Sequence, residues 1–357
     1  MAQPFDPRKL DLAGEAMPVA EQVSNFSASA AGVLVYQAGA AGLFVPMTTP
    51  TWYDRKGTVI GKAAEPGAYL GLALSPDDKR LAFTRRDDSQ IENLWLLEFA
   101  NSGTTRFTFG PGQSLSPVWS PDGNTMVFLR DGGPRASESN GLYQKASSQT
   151  GSEALLLKFQ VAINTGISGW SPDGRYLLLT GPGDDPKKQS DVFVLPIGGP
   201  KGEKSSAPPK PIPLISTEFN EQWATFSPDG RWIAYSSDAS GQNEVYVRPF
   251  DPASPEKTSS AGPVWTTAGG GNGAHWRGKE LFYTAPGGNV AAVEVATTPT
   301  FKPGPARQVF SLPARARLGD VTSDGKRFLV LVPTGRDAPP KITPYSVVLN
   351  WTAVLRK

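Results

Sequence analysis

The sequence predicts an all-β fold, a seven-bladed β-propeller built of four-stranded antiparallel blades, with a six-bladed ring as the alternative. Three observations carry this expectation. A turn of the form S-P-D-G followed by alternating apolar residues recurs along the chain, its copies are about 50 residues apart, and helical periodicity is nearly absent. Composition agrees: 38 Gly and 34 Pro supply turn formers, and nine Trp with 17 Phe in a 39% hydrophobic chain supply a packed interior.

The repeats run in order. "SAAGVLVY" begins at Ser29, "SPDDKRLAF" at Ser75, "SPDGNTMVF" at Ser120, "SPDGRYLLL" at Ser171, "SPDGRWIAY" at Ser227, "WRGKELFY" at Trp276 and "TSDGKRFLV" at Thr322. Each turn is explained locally. Pro presets φ at the first central position, Asp accepts backbone N–H bonds, and Gly takes the left-handed conformation that closes a hairpin. Asp122, Asp173 and Asp229 are on this reading turn formers and not three binding sites. A short apolar stretch ending in Trp119, Trp170, Phe226 or Trp276 precedes the turn, and a period-2 strand such as Trp232–Tyr235 follows it.

A third apolar segment follows at "NLWLLEF" (93), "GLYQKAS" (141), "DVFVLPI" (191), "EVYVRPF" (244) and "NVAAVEV" (289). A weaker fourth stands at "TTRFTF" (104), "KPIPLI" (210) and "ARQVF" (306). Four strands per unit make a propeller blade, since solenoid repeats of this length are helical. Residues 1–357 are expected to form one propeller domain. "YSVVLNW" at 345–351 supplies the third strand of the last blade, and an N-terminal strand at about 14–23 closes that blade as its fourth; a six-bladed ring would close without it.

These S-P-D-G repeats with their "VYVRPF"-type strands resemble the TolB-like (WD-like) β-propeller repeat over nearly the whole chain. The opening "MAQPFDPRKLDLAGEAMPVAEQVSNFSASAAGVLVYQ" and the closing "SDGKRFLVLVP" and "PYSVVLNWTAVLRK" are similar to the C-terminal propeller region of bacterial membrane-anchored serine/threonine protein kinases. That resemblance implies an extracytoplasmic, periplasmic-side location, a sensory or protein-interaction role beside a kinase, and a Met1 internal to a longer protein. No G-x-G-x-x-G before a strand Lys, no H-R-D and no D-F-G occurs, so these residues carry no kinase motifs.

Chemistry is sparse. The chain has no cysteine, which removes disulfides, thiolate metal sites and cysteine nucleophiles, and one histidine, His275. "GISGW" at 166 is a residue short of a nucleophile elbow. The acidic loops "RRDDSQIEN" (85) and "GPGDDPKKQSD" (181) lack the spacing of a Ca²⁺ loop. A net charge of +2 and isolated pairs such as Arg85-Arg86 and Lys187-Lys188 give no nucleic-acid surface. The chain shows no apolar run long enough to span a membrane and no export signal at its start. Two turn-rich insertions, "GGPKGEKSSAPPKP" (198–211) and "DPASPEKTSSAGP" (251–263), occupy equivalent places in successive blades and are expected as excursions from the rim.

The resulting expectation is a monomeric, non-catalytic module, not an enzyme, that binds a protein or small ligand on a propeller face. Neither nucleic acid, a cofactor nor a metal is expected, and no catalytic, cofactor-binding or metal residue is assigned. One alternative is a propeller hydrolase or lyase with a metal-assisted site in the central channel. The other is a TolB-like envelope scaffold.

Overall fold

The structure is a computed structural model that describes residues 5–6, 8, 11–12, 23–29, 32–38, 46–86, 91–132, 137–159, 166–183, 190–198, 209–260, 262–334 and 345–351. The chain divides into two compact units, residues 46–334 and residues 1–45 with 335–357. All seven repeats form antiparallel sheets, and six of these sheets are four-stranded.

The six lie in residues 46–334. Blade 1 is Tyr69–Leu74, Arg80–Arg86, Glu92–Glu98 and Gly103–Arg106. Blade 2 is Gln113–Trp119, Thr125–Asp131, Gly141–Ala146 and Ala154–Lys158. Blade 3 is Gly166–Trp170, Tyr176–Gly181, Asp191–Pro196 and Ile212–Ile215. Blade 4 is Glu221–Phe226, Trp232–Ser237, Glu244–Pro249 and Trp265–Thr266. Blade 5 is Asn272–Arg277, Glu280–Ala285, Asn289–Ala296 and Lys302–Ser311. The expected third and fourth strands of these blades are all present.

Blade 6 closes the ring. Its hairpin, Arg317–Val321 and Arg327–Pro333, takes its outer strands from the start of the unit, Thr48–Asp54 and Val59–Lys62. The register runs from Arg327 opposite Asp54 to Pro333 opposite Thr48. The first strand of each blade touches that of the next, and blade 6 touches blade 1, so six blades complete the circle, the alternative count. The closure differs from the expected one in which strand fills the gap: an edge strand must be paired, and 48–62 reaches the bared edge of the last hairpin. Residues 14–22 of the expected closing strand lie outside the described residues. Tyr345–Leu349, expected in the last blade, instead pairs with Val33–Ala38, which pairs in turn with Val23–Ala28. This three-stranded sheet of the first repeat belongs to the other unit, with the short pair Phe5–Asp6 and Asp11–Leu12.

The core sits between blades, because both faces of each sheet are covered by neighbours. Six apolar clusters fill the six interfaces of the ring. The residues just before the turns do what the sequence suggests: Trp119, Phe226 and Trp276 are buried in these clusters. The Trp119 indole N–H also donates to the Ala73 carbonyl of blade 1 at 3.0 Å.

The second insertion is better ordered than expected. Residues Pro255–Ser260 form a 3-10 turn. Thr258 is buried and its carbonyl accepts from the Arg248 guanidinium at 3.3 Å, while the Pro252 carbonyl accepts from the Tyr176 hydroxyl of blade 3. It therefore packs across a blade interface. Most of the first insertion, 199–208, lies outside the described residues.

Candidate functional site

The inner strands of all six blades line an axial cavity of about 1070 Å³ in the ring. Each inner strand breaks register once at the same level, between Leu70 and Ala73, Leu115 and Val118, Ile167 and Gly169, Gln222 and Thr225, Asn272 and His275, and Leu318 and Asp320. A bulge at each of these points re-aims a side chain. In the four blades whose break spans two residues, a left-handed residue stands four before the turn, Gly71, Ser116, Trp223 or Gly273; in the other two the single skipped residue is Ser168 or Gly319.

Trp223 is 50% exposed, lines the cavity, and holds the left-handed conformation with φ 50°. For a bulky residue this costs of order 1–3 kcal/mol and persists only where the surroundings enforce it. Sequence reasoning missed this residue. Its column, four residues before the turn, reads Gly71, Ser116, Ile167, Trp223, Gly273 and Leu318, so size does not single it out, and the left-handed φ it shares with Gly71, Ser116 and Gly273 is visible only in the structure.

His275 lies in the same cavity. Two residues before each turn the repeat column reads Ala73, Val118, Gly169, Thr225, His275 and Asp320, so the last two face one another across the blade 5 and blade 6 interface. His275 Nδ1 is 3.4 Å from Asp320 Oδ1. The same oxygen accepts from Arg277 at 2.5 Å and from the Val321 N–H at 2.7 Å, and Oδ2 accepts from the Leu74 N–H of blade 1 at 2.9 Å. Burial pushes the Asp320 carboxyl up, but Arg277 and His275 outweigh it and bring it down to about 2. Asp320 is therefore an anion at neutral pH. Arg277 is fully engaged, with Nε donating to the Val321 carbonyl and a terminal nitrogen to the Trp276 carbonyl.

This arrangement orients the imidazole and leaves its Nε2 to the cavity. With Nδ1 toward Asp320, Nε2 can accept a hydrogen bond from a ligand N–H or O–H. Among the described residues no hydroxyl is hydrogen-bonded to His275, and no group of three His, Asp or Glu side chains stands ready for a metal. Ser168, in "GISGW", lines the cavity from a strand bulge and not from a nucleophile elbow. The other groups weighed from the sequence have structural roles. Asp122, Asp173 and Asp229 each accept the hydroxyl of the turn serine and the N–H two residues on.

No protein-family model matches the chain. Over 211 residues it is 30% identical to "Uncharacterized peptidase YuxL" of Bacillus subtilis, a match spanning 48% of this chain and 31% of that one. Over 48 residues it is 40% identical to Tol-Pal system protein TolB of Nitratidesulfovibrio vulgaris, 13% of this chain and 11% of that one. A solved structure described as TolB from Agrobacterium tumefaciens aligns with TM-score 0.54 at 19% identity, over 80% of this chain and 98% of that one. The fold is thus that of a TolB-like β-propeller, as the repeats suggest; the likeness to a kinase propeller region is not among these findings. The expectation that the chain is not an enzyme is corrected by the first of them, since a relative at 30% identity is named a peptidase. Among the described residues no helix is long and apolar enough to cross a membrane.

Proposed function

We propose that the ring is the substrate-admitting propeller of a peptidase-type protein, taking an extended polypeptide segment into its axial cavity. The observation that carries this is the half-exposed Trp223, which lines the cavity in a strained left-handed conformation where the three like breaks carry Gly71, Ser116 and Gly273. An indole there offers an apolar stacking face for proline, aromatic or aliphatic side chains. His275 and Ser116 offer hydrogen bonds to peptide groups. The relative's name supplies the substrate class. An extracytoplasmic location accompanies this reading, as the repeat resemblance implies.

The test uses the full chain and a fluorescent, unstructured peptide library, read by polarisation and then by mass spectrometry of the same samples. Expected are saturable binding and a tenfold or greater loss of affinity in Trp223→Ala, about 1.4 kcal/mol. Equal binding by wild type and variant would remove the cavity from consideration. Cleavage that disappears in His275→Ala would place the hydrolytic step in this chain. A second reading, interaction with a folded protein beside a kinase, is favoured by one feature. The segments that carry the kinase resemblance contribute Val23–Ala28, Val33–Ala38 and Tyr345–Leu349 to one sheet. Binding of folded partners that survives Trp223→Ala and is lost on mutating that sheet would support it.

A further inference from the structure

The third strand of each blade tends to begin on a polar side chain, and in three blades it is a carboxylate. Glu92 of blade 1 is paired with Arg86 at 2.5 Å. Glu244 of blade 4 accepts from the Gly269 N–H at 2.8 Å and the Thr266 hydroxyl at 2.7 Å. Asp191 of blade 3 has neither a cation nor an N–H. It is 1% exposed, its Oδ2 accepts only the Ser216 hydroxyl at 2.6 Å, and its Oδ1 is buried with no partner. A buried, unpaired carboxylate oxygen is costly and calls for an explanation.

A second carboxylate stands beside it. Glu221, the first residue of blade 4, donates its N–H to the carbonyl of Ser190, the residue before Asp191, at 2.9 Å. Glu221 is also 1% exposed, and its oxygens meet only the Thr217 hydroxyl and N–H and the Ser237 hydroxyl. Among the described residues no Lys, Arg or His pairs with either carboxylate. Burial, with the Asp191 charge adding to it, pushes the Glu221 carboxyl up. The Ser190 hydroxyl, buried in the same place, is likewise without a partner. Gly183 leaves room for this cluster: any Cβ there would collide with Asp191 Oδ2.

We infer that Asp191 and Glu221, with the hydroxyls of Ser190, Ser216 and Thr217, form a divalent-cation site at the interface of blades 3 and 4, of the oxygen-ligated calcium class. Two carboxylates match the charge of one divalent ion. All five side-chain donors are oxygens, with no imidazole or thiolate, which selects hard cations over zinc or copper. Calcium tolerates irregular oxygen geometry, whereas magnesium demands a near-ideal octahedron that side chains from three separate strands and loops do not offer. The site would tie blade 3 to blade 4 and is independent of the axial cavity.

The test is calorimetric titration of the chelator-treated full chain with CaCl₂ and, separately, MgCl₂, alongside thermal melts in each ion. One saturable Ca²⁺ site, tighter than Mg²⁺, and a higher melting temperature in Ca²⁺ are expected. Asp191→Asn and Glu221→Gln should each abolish the heat. Ser216→Ala, which keeps both carboxylates, should bind Ca²⁺ at least tenfold more weakly while remaining folded by circular dichroism. Absence of saturable heat from wild type, Mg²⁺ binding tighter than Ca²⁺, or unchanged Ca²⁺ affinity in Ser216→Ala would each overturn the assignment.

Discussion

At the scale of single residues the fold rests on a hydrogen-bonded motif stamped into each S-P-D-G turn. In blade 2 the Ser120 hydroxyl donates to Asp122 at 2.5 Å and accepts from the Thr125 N–H at 2.9 Å, while Asp122 accepts from the Asn124 N–H at 3.0 Å. Gly123 then takes φ 71°. The serine thus stitches the turn from inside, a role the sequence pattern assigned to Pro, Asp and Gly alone. Removing it in Ser120→Ala orphans the Thr125 N–H and takes one of two donors from Asp122 Oδ1, and should cost about 1–2 kcal/mol in denaturant unfolding. The same bonds make the turns acid-sensitive. The Ser120 hydroxyl and the Asn124 N–H hold the Asp122 carboxyl below its ordinary range, and the Thr322 hydroxyl with the Lys326 N–H does the same for Asp324. A depressed folded pKa means the unfolded chain binds more protons, so this stability is present above about pH 4 and is lost as the pH falls. Asp320, at about 2, extends that loss furthest and contributes roughly 2 kcal/mol by linkage. Melting temperatures measured from pH 6 to pH 2 should fall steeply below pH 4, with a shallower fall between pH 4 and 2 in Asp320→Asn. An Asp320→Asn curve parallel to wild type there would count against the carboxylate's role at the seam.

At the scale of elements the informative comparison is between the seam and the other blades. The hairpins, their third strands and their order were legible because turn chemistry and period-2 patterning are local. The partner of the last hairpin was not: the more apolar Tyr345–Leu349 satisfies the edge by pattern better than Thr48–Asp54, which reads T-T-P-T-W-Y-D. What decides is burial over long range. Trp52 enters the cluster between blades 6 and 1 with Leu74, Phe83 and Leu329, and Tyr53 stacks on Phe310 of blade 5 with ring centroids 5.8 Å apart. The turn of blade 1 adds a clasp of its own. Where the other blades carry Gly, Asp78 adopts φ 59° and its carboxylate accepts from both the Ser323 N–H and hydroxyl of blade 6. Closure can be trapped directly, since the chain has no cysteine. Thr49 and Val332 are cross-strand partners, within the separation a disulfide bridges. Thr49→Cys with Val332→Cys should oxidise spontaneously, change mobility on a non-reducing gel, and raise stability by about 2–4 kcal/mol over the reduced form. Failure to form the bond in the folded protein would mean that 48–54 does not close the last blade.

At the scale of the whole molecule the ring owes its stability to a circuit of interfaces and not to one centre. Six clusters occupy six junctions, and polar ties cross several of them: Arg55 with Glu280 at 2.8 Å between blades 6 and 5, Trp232 with the Thr297 carbonyl between blades 4 and 5, and Asp320 with Leu74 between blades 6 and 1. The candidate cavity is a by-product of this circuit, because six inner strands leave an axis that none of them fills. Its chemistry was half legible: aligning the repeats brings His275 and Asp320 into one column, but the column of Trp223 also holds Ile167 and Leu318, and only the bend of the ring makes column neighbours touch. Among the described residues, none of the six clusters takes a side chain from before 46 or after 334. A protein comprising residues 46–334 should therefore fold, run as a monomer on sizing, and unfold in one cooperative transition. Cutting further, to 63–334, should remove Thr48–Asp54 and Val59–Lys62, strip the hairpin at Thr322 of its partners, and expose Leu329 and Leu331 along an unpaired edge. That shorter chain should aggregate. If 46–334 aggregates as well, while the full chain does not, the ring requires the flanking residues and six blades are not a self-sufficient circuit.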